Sequence, residues 1–172
     1  MEELRIKECN LDDIEKVKYI SEKTFYETFS NENTKEDMDN YLKENFSYEQ
    51  LESEIKNNSS RFYIVQNSEE VVAYMKLNFD KSQTETGHPN TIEVQRIYVL
   101  QDYKSKKIGK RLMQKAIEVG IENNINYIWL GVWEHNLNAI RFYEKLGLEK
   151  FDTHIFKLGD DEQTDNLMKL IL

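Results

Sequence analysis

Between Thr91 and Trp133 the hydrophobic period changes twice, and no other stretch restricts the fold as much. Thr91–Leu100 is β-rich and alternates, the period-two pattern of a strand with one buried face. Lys107–Asn123 then brings Ile108, Leu112, Ala116 or Ile117, Val119 and Ile121 to helical spacing. Asn126–Trp133 returns to strand composition. A strand–helix–strand order of this kind belongs to an α/β domain with a mixed sheet. Downstream, Asn136–Leu146 reads as a helix that stops at Gly147, the usual left-handed cap. Leu148–Leu158 and Thr164–Leu172 read as closing strands.

Upstream the pattern is helical. Leu4–Glu8 alternates as an edge strand, and Asn10 with Asp13 three residues on has the form of a capping box. Leu11, Ile14, Val17, Ile20 and Thr24 or Phe25 continue a helical stripe toward Phe29. Thr34 and Ser47 are expected to open two more helices, 34–44 and 48–56. Arg61–Gln66 and Val71–Phe79 flank an Asn-Ser-Glu-Glu turn as a hairpin, and Lys81–Asn90 is a polar loop with the only proline, Pro89.

The chain has 172 residues and neither repeats nor a low-complexity linker, so residues 1–172 are expected to form a single domain. Its 39% apolar and 12% aromatic content is that of a globular protein. No apolar run approaches the roughly 20 residues of a membrane helix. Met1–Arg5 carries acid where a signal peptide would be apolar. Cys9 is the single cysteine, expected to be a packed small side chain, and these features together predict a cytoplasmic protein.

Net charge is −9, but it is unevenly spread. Residues 1–60 hold 16 acids and 8 bases, whereas residues 102–115 hold one acid, Asp102, and six bases. An acidic protein disfavours a nucleic-acid backbone and attracts cationic ligands. The basic stretch calls for a local anion. It lies where the strand Thr91–Leu100 runs through a loop into the next helix, whose first N–H groups and dipole favour phosphate. Lys104, Lys106, Lys107 and Lys110 add charge there, and Gly109 leaves room for close approach. This reads as a pyrophosphate site. A nucleotide-binding P-loop would need glycine where Lys104 stands and Ser or Thr where Arg111 stands, and no Gly-x-Gly-x-x-Gly exists.

The second constellation is Asn136 to Gly147, which reads Asn-x-x-Ala-x-x-Phe-Tyr-x-Lys-x-Gly. Asn136 can cap its helix, and Tyr143 carries a hydroxyl able to act as a general acid. With the order of elements, these stretches resemble the GNAT superfamily of N-acetyltransferases. The resemblance implies an α/β GNAT acyltransferase fold, a mixed, mostly antiparallel sheet of about seven strands flanked by helices. It also implies acetyl-CoA as cofactor. The family loop Gln/Arg-x-x-Gly-x-Gly/Ala falls on Lys104, Lys107 and Gly109, of which Gly109 alone matches. By the same likeness, amides of Lys104, Ser105, Lys106, Lys107, Ile108, Gly109 and Lys110 would hold the pyrophosphate. Backbone groups of Ile97, Tyr98 and Val99 would meet the pantetheine arm. Asn136, Asn138 and Lys145 would complete the cofactor contacts, and Tyr143 would face the thioester sulfur.

More narrowly, the chain resembles PaiA-type polyamine N-acetyltransferases of Firmicutes. The residues are Ile128–Glu134, Asn136, Asn138–Ile140, Gly159-Asp160, Glu162–Asp165, and Thr24-Phe25 with Thr28-Phe29. That likeness implies a polyamine acceptor, spermidine or spermine, and a link to control of sporulation and protease production. The expected partners are therefore small molecules, with no nucleic acid and no membrane, and a homodimer is an assembly left open.

Acetyl transfer needs a neutral amine, whereas a primary ammonium has a pKa of about 10.4. Glu93, on the same strand face as Gln95, is the candidate base acting through water. Related enzymes carry a carboxylate where Gln95 stands, so the alternative is loss of the proton to bulk solvent. Glu27, Glu32, Glu134, Asp160 and Asp161 are candidate acids for an acceptor channel, and Tyr26 and Trp133 candidate stacking groups. His88, His135 and His154 lack metal-ligand spacing, so no metal site is expected. Two other readings stand beside this one: an enzyme of the same fold acting on a protein or peptide amine, and a non-catalytic module that binds acetyl-CoA.

Overall fold

The computed structural model describes residues 3–158 and 160–172. Met1, Glu2 and Gly159, the glycine of the Gly159-Asp160 match, lie outside the described residues. Seven strands form one sheet in the order β1-β2-β3-β4-β5-β7-β6. They are β1 (Arg5–Glu8), β2 (Ser60–Gln66), β3 (Val71–Phe79), β4 (Thr91–Val99), β5 (Tyr127–Trp133), β6 (Glu149–Leu158) and β7 (Asp161–Ile171). The helices are α1 (Ile14–Phe29), α2 (Lys35–Asn45), α3 (Tyr48–Lys56), α4 (Ile108–Glu122) and α5 (Leu137–Lys145). The β4–β5 pair is parallel, and β1–β2, β5–β7 and β6–β7 are antiparallel.

Helix starts follow the capping residues. The Asn10 side chain accepts from Asp12 N, and the Asp13 carboxylate takes the Asn10 N–H at 3.0 Å. The turn they fix is a 3-10 turn, Leu11–Asp13, so α1 proper begins at Ile14. Thr34 and Ser47 accept from Asp37 N at 3.1 Å and Gln50 N at 3.2 Å. Each cap of this type is worth about 1 kcal/mol. The helix expected from Lys107 starts one residue later, because Lys107 has φ +61 and cannot be helical.

The chain groups into two compact units. The first comprises Met1–Leu77 and Arg96–Gln114. Its core joins Val17, Ile20 and Phe25 of α1 to Met38, Phe46 and Leu51 and to the β2 and β3 residues Ile64 and Val72. Phe25 stacks on Tyr41 at 4.2 Å and meets the edge of Phe46 at 5.9 Å. Beside these rings lies a buried ionic cluster. Glu54 of α3 pairs with Lys76 of β3 and, at 3.0 Å, with Arg96 of β4. Gln50 donates to its other oxygen at 3.0 Å.

The second unit comprises Asn78–Gln95 and Lys115–Leu172. Trp129, Ile128, Leu130 and Met168 are buried in its sheet, with Ala116 and Val119 of α4 also buried. β7 begins at Asp161, three residues before the strand expected from Thr164. Asp161, Glu162 and Gln163 are polar, and ladder pairing with Leu158, Lys157 and Phe156 makes them strand. The β6–β7 register shifts between Lys150 and Asp152, a bulge that leaves Phe151 as the extra residue. The loop after β3 is not slack. Gln83 Oε1 accepts from Thr91 Oγ1 and from Trp129 Nε1, both at 2.8 Å. His88 stacks on Trp129 at 4.8 Å and bonds the Tyr127 hydroxyl at 2.6 Å.

Candidate active site

The cofactor-side residues of the first unit are brought together by the sequence Ile97–Lys110. The parallel ladder of β4 with β5 covers Thr91↔Tyr127 to Glu93↔Trp129, so Ile97, Tyr98 and Val99 lie beyond it on β4. Tyr98 stacks on Tyr74 at 6.0 Å, which holds this half of the strand. At the strand's end Glu27 reaches the Gln101 backbone N–H at 3.3 Å, so this acid fixes the loop entry. Tyr103 donates to Glu70 at 3.0 Å and carries Lys106 over its ring at 4.8 Å. Lys104, Ser105, Lys106 and Lys107 are exposed and Ile108 is buried, so the basic groups stand outside an anchored turn.

Lys107 occupies the left-handed region, φ +61 and ψ 22, which is the conformation a glycine would adopt without cost. The backbone course expected of the family's first glycine is therefore kept by a lysine. Among the described residues Lys104, Lys107 and Lys110 have no carboxylate partner within 4 Å. Cations without counter-charge beside the start of α4 suit a diphosphate, so these residues fit coenzyme A. One consequence is testable without ligand. Lys107→Val should destabilise the protein by about 1–2 kcal/mol in urea unfolding, well beyond the change usual at an exposed site. Lys107→Gly should stay within about 0.5 kcal/mol of wild type, since relief of strain offsets glycine's entropy. Equal, negligible effects would show that the left-handed turn is not needed.

In the second unit, Asn136 caps α5 by accepting the Ala139 N–H at 3.2 Å, so the helix begins at Leu137. Asn138 is exposed and lies 3.5 Å from Arg141 Nη2. Lys145 is exposed in the last turn, and Gly147 follows at φ +97. Tyr143 is half-buried, its ring edge-on to Phe142 at 5.2 Å. Burial pushes its phenol up to about 12, so it is a neutral donor across the neutral range. Glu93 is buried, and both of its oxygens are engaged. Oε1 accepts from Asn78 Nδ2 at 3.0 Å and from Thr84 N at 2.8 Å, and Oε2 accepts from Thr84 Oγ1.

The remaining candidates scatter. Glu32, Tyr26, Asp160 and Asp161 are exposed, with Asp161 taking Gln163 Nε2 at 2.6 Å. Glu134 pairs with His135 at 3.3 Å, and Trp133 meets the same imidazole edge-on at 5.3 Å. Cys9 is half-buried, and burial drives its thiol up to about 12. Sequence reasoning gave no site role to Asn78, Thr84, Glu85, His154 or Asp165. His154 lies 3.8 Å from Glu85 and pairs across the ladder with Asp165, whose carboxyl is raised by burial. Asp165 sat inside a quoted motif, but the others carry no local signal. Among the described residues no three His, Cys, Asp or Glu gather to hold a metal ion, and no helix is long and apolar enough to cross a membrane.

A strand leads through a basic, left-handed turn into a helix, and a tyrosine-bearing helix follows the next strand, the element order of an α/β acyltransferase domain of the kind the sequence resembles. The sequence profile of the acetyltransferase (GNAT) family matches residues 22–148, and the chain belongs to that family. It is an N-acetyltransferase that uses acetyl-CoA. An uncharacterized N-acetyltransferase of Lactobacillus delbrueckii subsp. lactis is 42% identical over 153 residues, 89% of this chain and 88% of that one. The spermidine N(1)-acetyltransferase of Thermoplasma acidophilum is 23% identical over 170 residues, 96% of each chain. The crystal structure of PaiA N-acetyltransferase from Thermoplasma acidophilum, in complex with coenzyme A, superposes with a TM-score of 0.81 at 22% identity, covering 99% of both chains. The ribosomal-protein-alanine N-acetyltransferase of Brucella melitensis has a TM-score of 0.72 at 19% identity, covering 98% of this chain and 99% of that one.

Proposed function

We propose that residues 1–172 act as one cytoplasmic catalytic domain that acetylates a primary amine of a polyamine such as spermidine or spermine. The reaction is direct attack within a ternary complex. The observation that carries the acceptor class is the end-to-end likeness to a spermidine N(1)-acetyltransferase, and the surplus of acid over base suits a polycation. Acetyl-CoA supplies the acetyl group as an activated thioester.

The chain's own residues bind, orient and handle protons. Lys104, Ser105, Lys106, Lys107, Ile108, Gly109 and Lys110 hold the pyrophosphate, and Ile97, Tyr98 and Val99 offer backbone groups to the pantetheine arm. Asn136, Asn138 and Lys145 add polar contacts from α5. A new bond forms from the amine nitrogen to the acetyl carbon while the carbon–sulfur bond breaks. The ammonium loses one proton before attack and the nitrogen a second after it. The departing sulfur gains one, so one proton is released net. Tyr143 meets the charge developing on sulfur with its hydroxyl. Glu93 serves the acceptor side as the buried carboxylate of β4.

Purified protein with acetyl-CoA and separate amines should release free thiol fastest with spermidine or spermine. Faster release with an N-terminal alanine peptide would transfer the acceptor assignment to a protein amine. Cofactor binding without thiol release from any amine would sink the enzymatic reading in favour of a binding module.

A further inference from the structure

In the second unit a hydrogen-bond chain fixes which way Gln95 points. Glu93 Oε1 lies 2.8 Å from the Thr84 backbone nitrogen. A backbone N–H can only donate, so that oxygen accepts. Asn78 stands 3.0 Å from the same oxygen and must therefore turn its nitrogen toward it. The same nitrogen lies 2.8 Å from Gln95, which must answer with its amide oxygen. Gln95 Nε2 is thereby turned the other way, and no described residue accepts from it. The polarity of one irreversible backbone group passes through two side chains to a third. Asn78 is fully buried, so water does not offer it another arrangement.

We propose that Glu93, acting through Asn78, holds Gln95 as a hydrogen-bond donor on the acceptor side, selecting an amine that has already lost its proton to solvent. Gln95 is the specificity-determining group and Glu93 its positioning residue. An amide N–H cannot take a proton. It also cannot hold an ammonium, whose polar hydrogens are all donors, so this position turns the charged amine away and leaves the neutral amine's lone pair free for attack. Between Asn78 and Gln95 the other titratable residues are Asp80, Lys81, Glu85 and His88; His88 bonds Tyr127 of β5, Glu85 lies beside His154 of β6, and His154 pairs with Asp165 of β7.

The proposal deepens the amine-acetylation reading, and its first test needs no turnover. In side-chain amide NMR spectra, the Asn78 NH2 protons should be protected and unmoved between pH 6 and 9, while those of Gln95 exchange with water. Glu93→Leu should erase the Asn78 pattern, whereas Glu93→Gln should keep it, its amide oxygen accepting from Thr84 N and Asn78 while its NH2 donates to the Thr84 hydroxyl. A protected Gln95 amide, or a titration of these signals between pH 6 and 9, would overturn the proposal. The second test uses whichever amine is turned over. Wild-type kcat/KM should rise tenfold per pH unit toward the amine's own pKa, about 10. Glu93→Leu should lower kcat/KM at least tenfold with the slope kept, Glu93→Gln should stay near wild type, and Gln95→Glu should add a base and flatten the rise. A wild-type plateau that disappears in Glu93→Gln, or in Asp165→Asn, would make that carboxylate the base. Failure of every amine would end the acetylation reading while the NMR result still decides the orientation.

Discussion

Replacing Tyr143 with phenylalanine is expected to lower kcat about a hundredfold, the low end for loss of a positioned acid. Coenzyme A affinity, measured by calorimetry, should change little, because the hydroxyl matters most as sulfur gains charge. Burial that lifts the phenol to about 12 keeps it protonated but also limits it. An ordinary thiol ionises at about 8.5, so complete transfer to a thiolate would run uphill. Tyr143 is thus best suited to donating a hydrogen bond to the leaving sulfur and leaving the final protonation to solvent. The kcat of wild type should then show no tyrosine ionisation below pH 9. Unchanged turnover in Tyr143→Phe would remove this residue from the chemistry.

The largest stability effect is expected at Glu54. Its carboxylate faces Lys76 and Arg96, with side-chain exposures of 10%, 7% and 13%. Glu54→Ala leaves two buried cations without their counter-charge, and about 3–5 kcal/mol should be lost. That is a large part of the 5–15 kcal/mol typical of a folded domain. Urea unfolding at neutral pH measures it. A loss below about 1 kcal/mol would mean that the cations find other partners. The pH dependence has a definite sign. Burial works against the charged carboxylate, but Arg96 and then Lys76 outweigh it and hold its pKa below the usual range. The folded value lies under the unfolded one, so the contribution is full above the unfolded value and is lost as pH falls through the folded one. Wild type should therefore lose stability on acidification, and Glu54→Ala should lose less.

What the sequence revealed divides along local and non-local lines. Caps at Asn10, Thr34, Ser47 and Asn136 were legible because a cap binds an amide two or three residues away. So was the strand–loop–helix junction, whose periodicity changes within a few residues. The left-handed turn was visible only as a lysine in a glycine's place, since torsion angles leave no trace in composition. The 80–90 loop looked merely polar. Its order depends on Thr84 finding Glu93 and Gln83 finding Trp129, 9 and 46 residues away. Glu93 accordingly read as an available base, although its oxygens are committed to partners that alternation cannot reveal. The early start of β7 escaped for a related reason: exposed polar residues join a strand through backbone pairing alone.

The bulge at Phe151 has a consequence of parity. A strand counts in twos, and one extra residue changes odd to even. Glu149 stands opposite Lys169, yet five positions on His154 stands opposite Asp165, four positions along β7. Side chains opposite one another share a face, so an odd-numbered and an even-numbered residue of β6 look the same way. A systematic substitution scan along β6 should show this as a slip of phase, with the tolerant positions odd on one side of residue 151 and even on the other, or the reverse. Removing that single residue would restore simple alternation to the numbering while leaving His154's partner across the ladder unchanged.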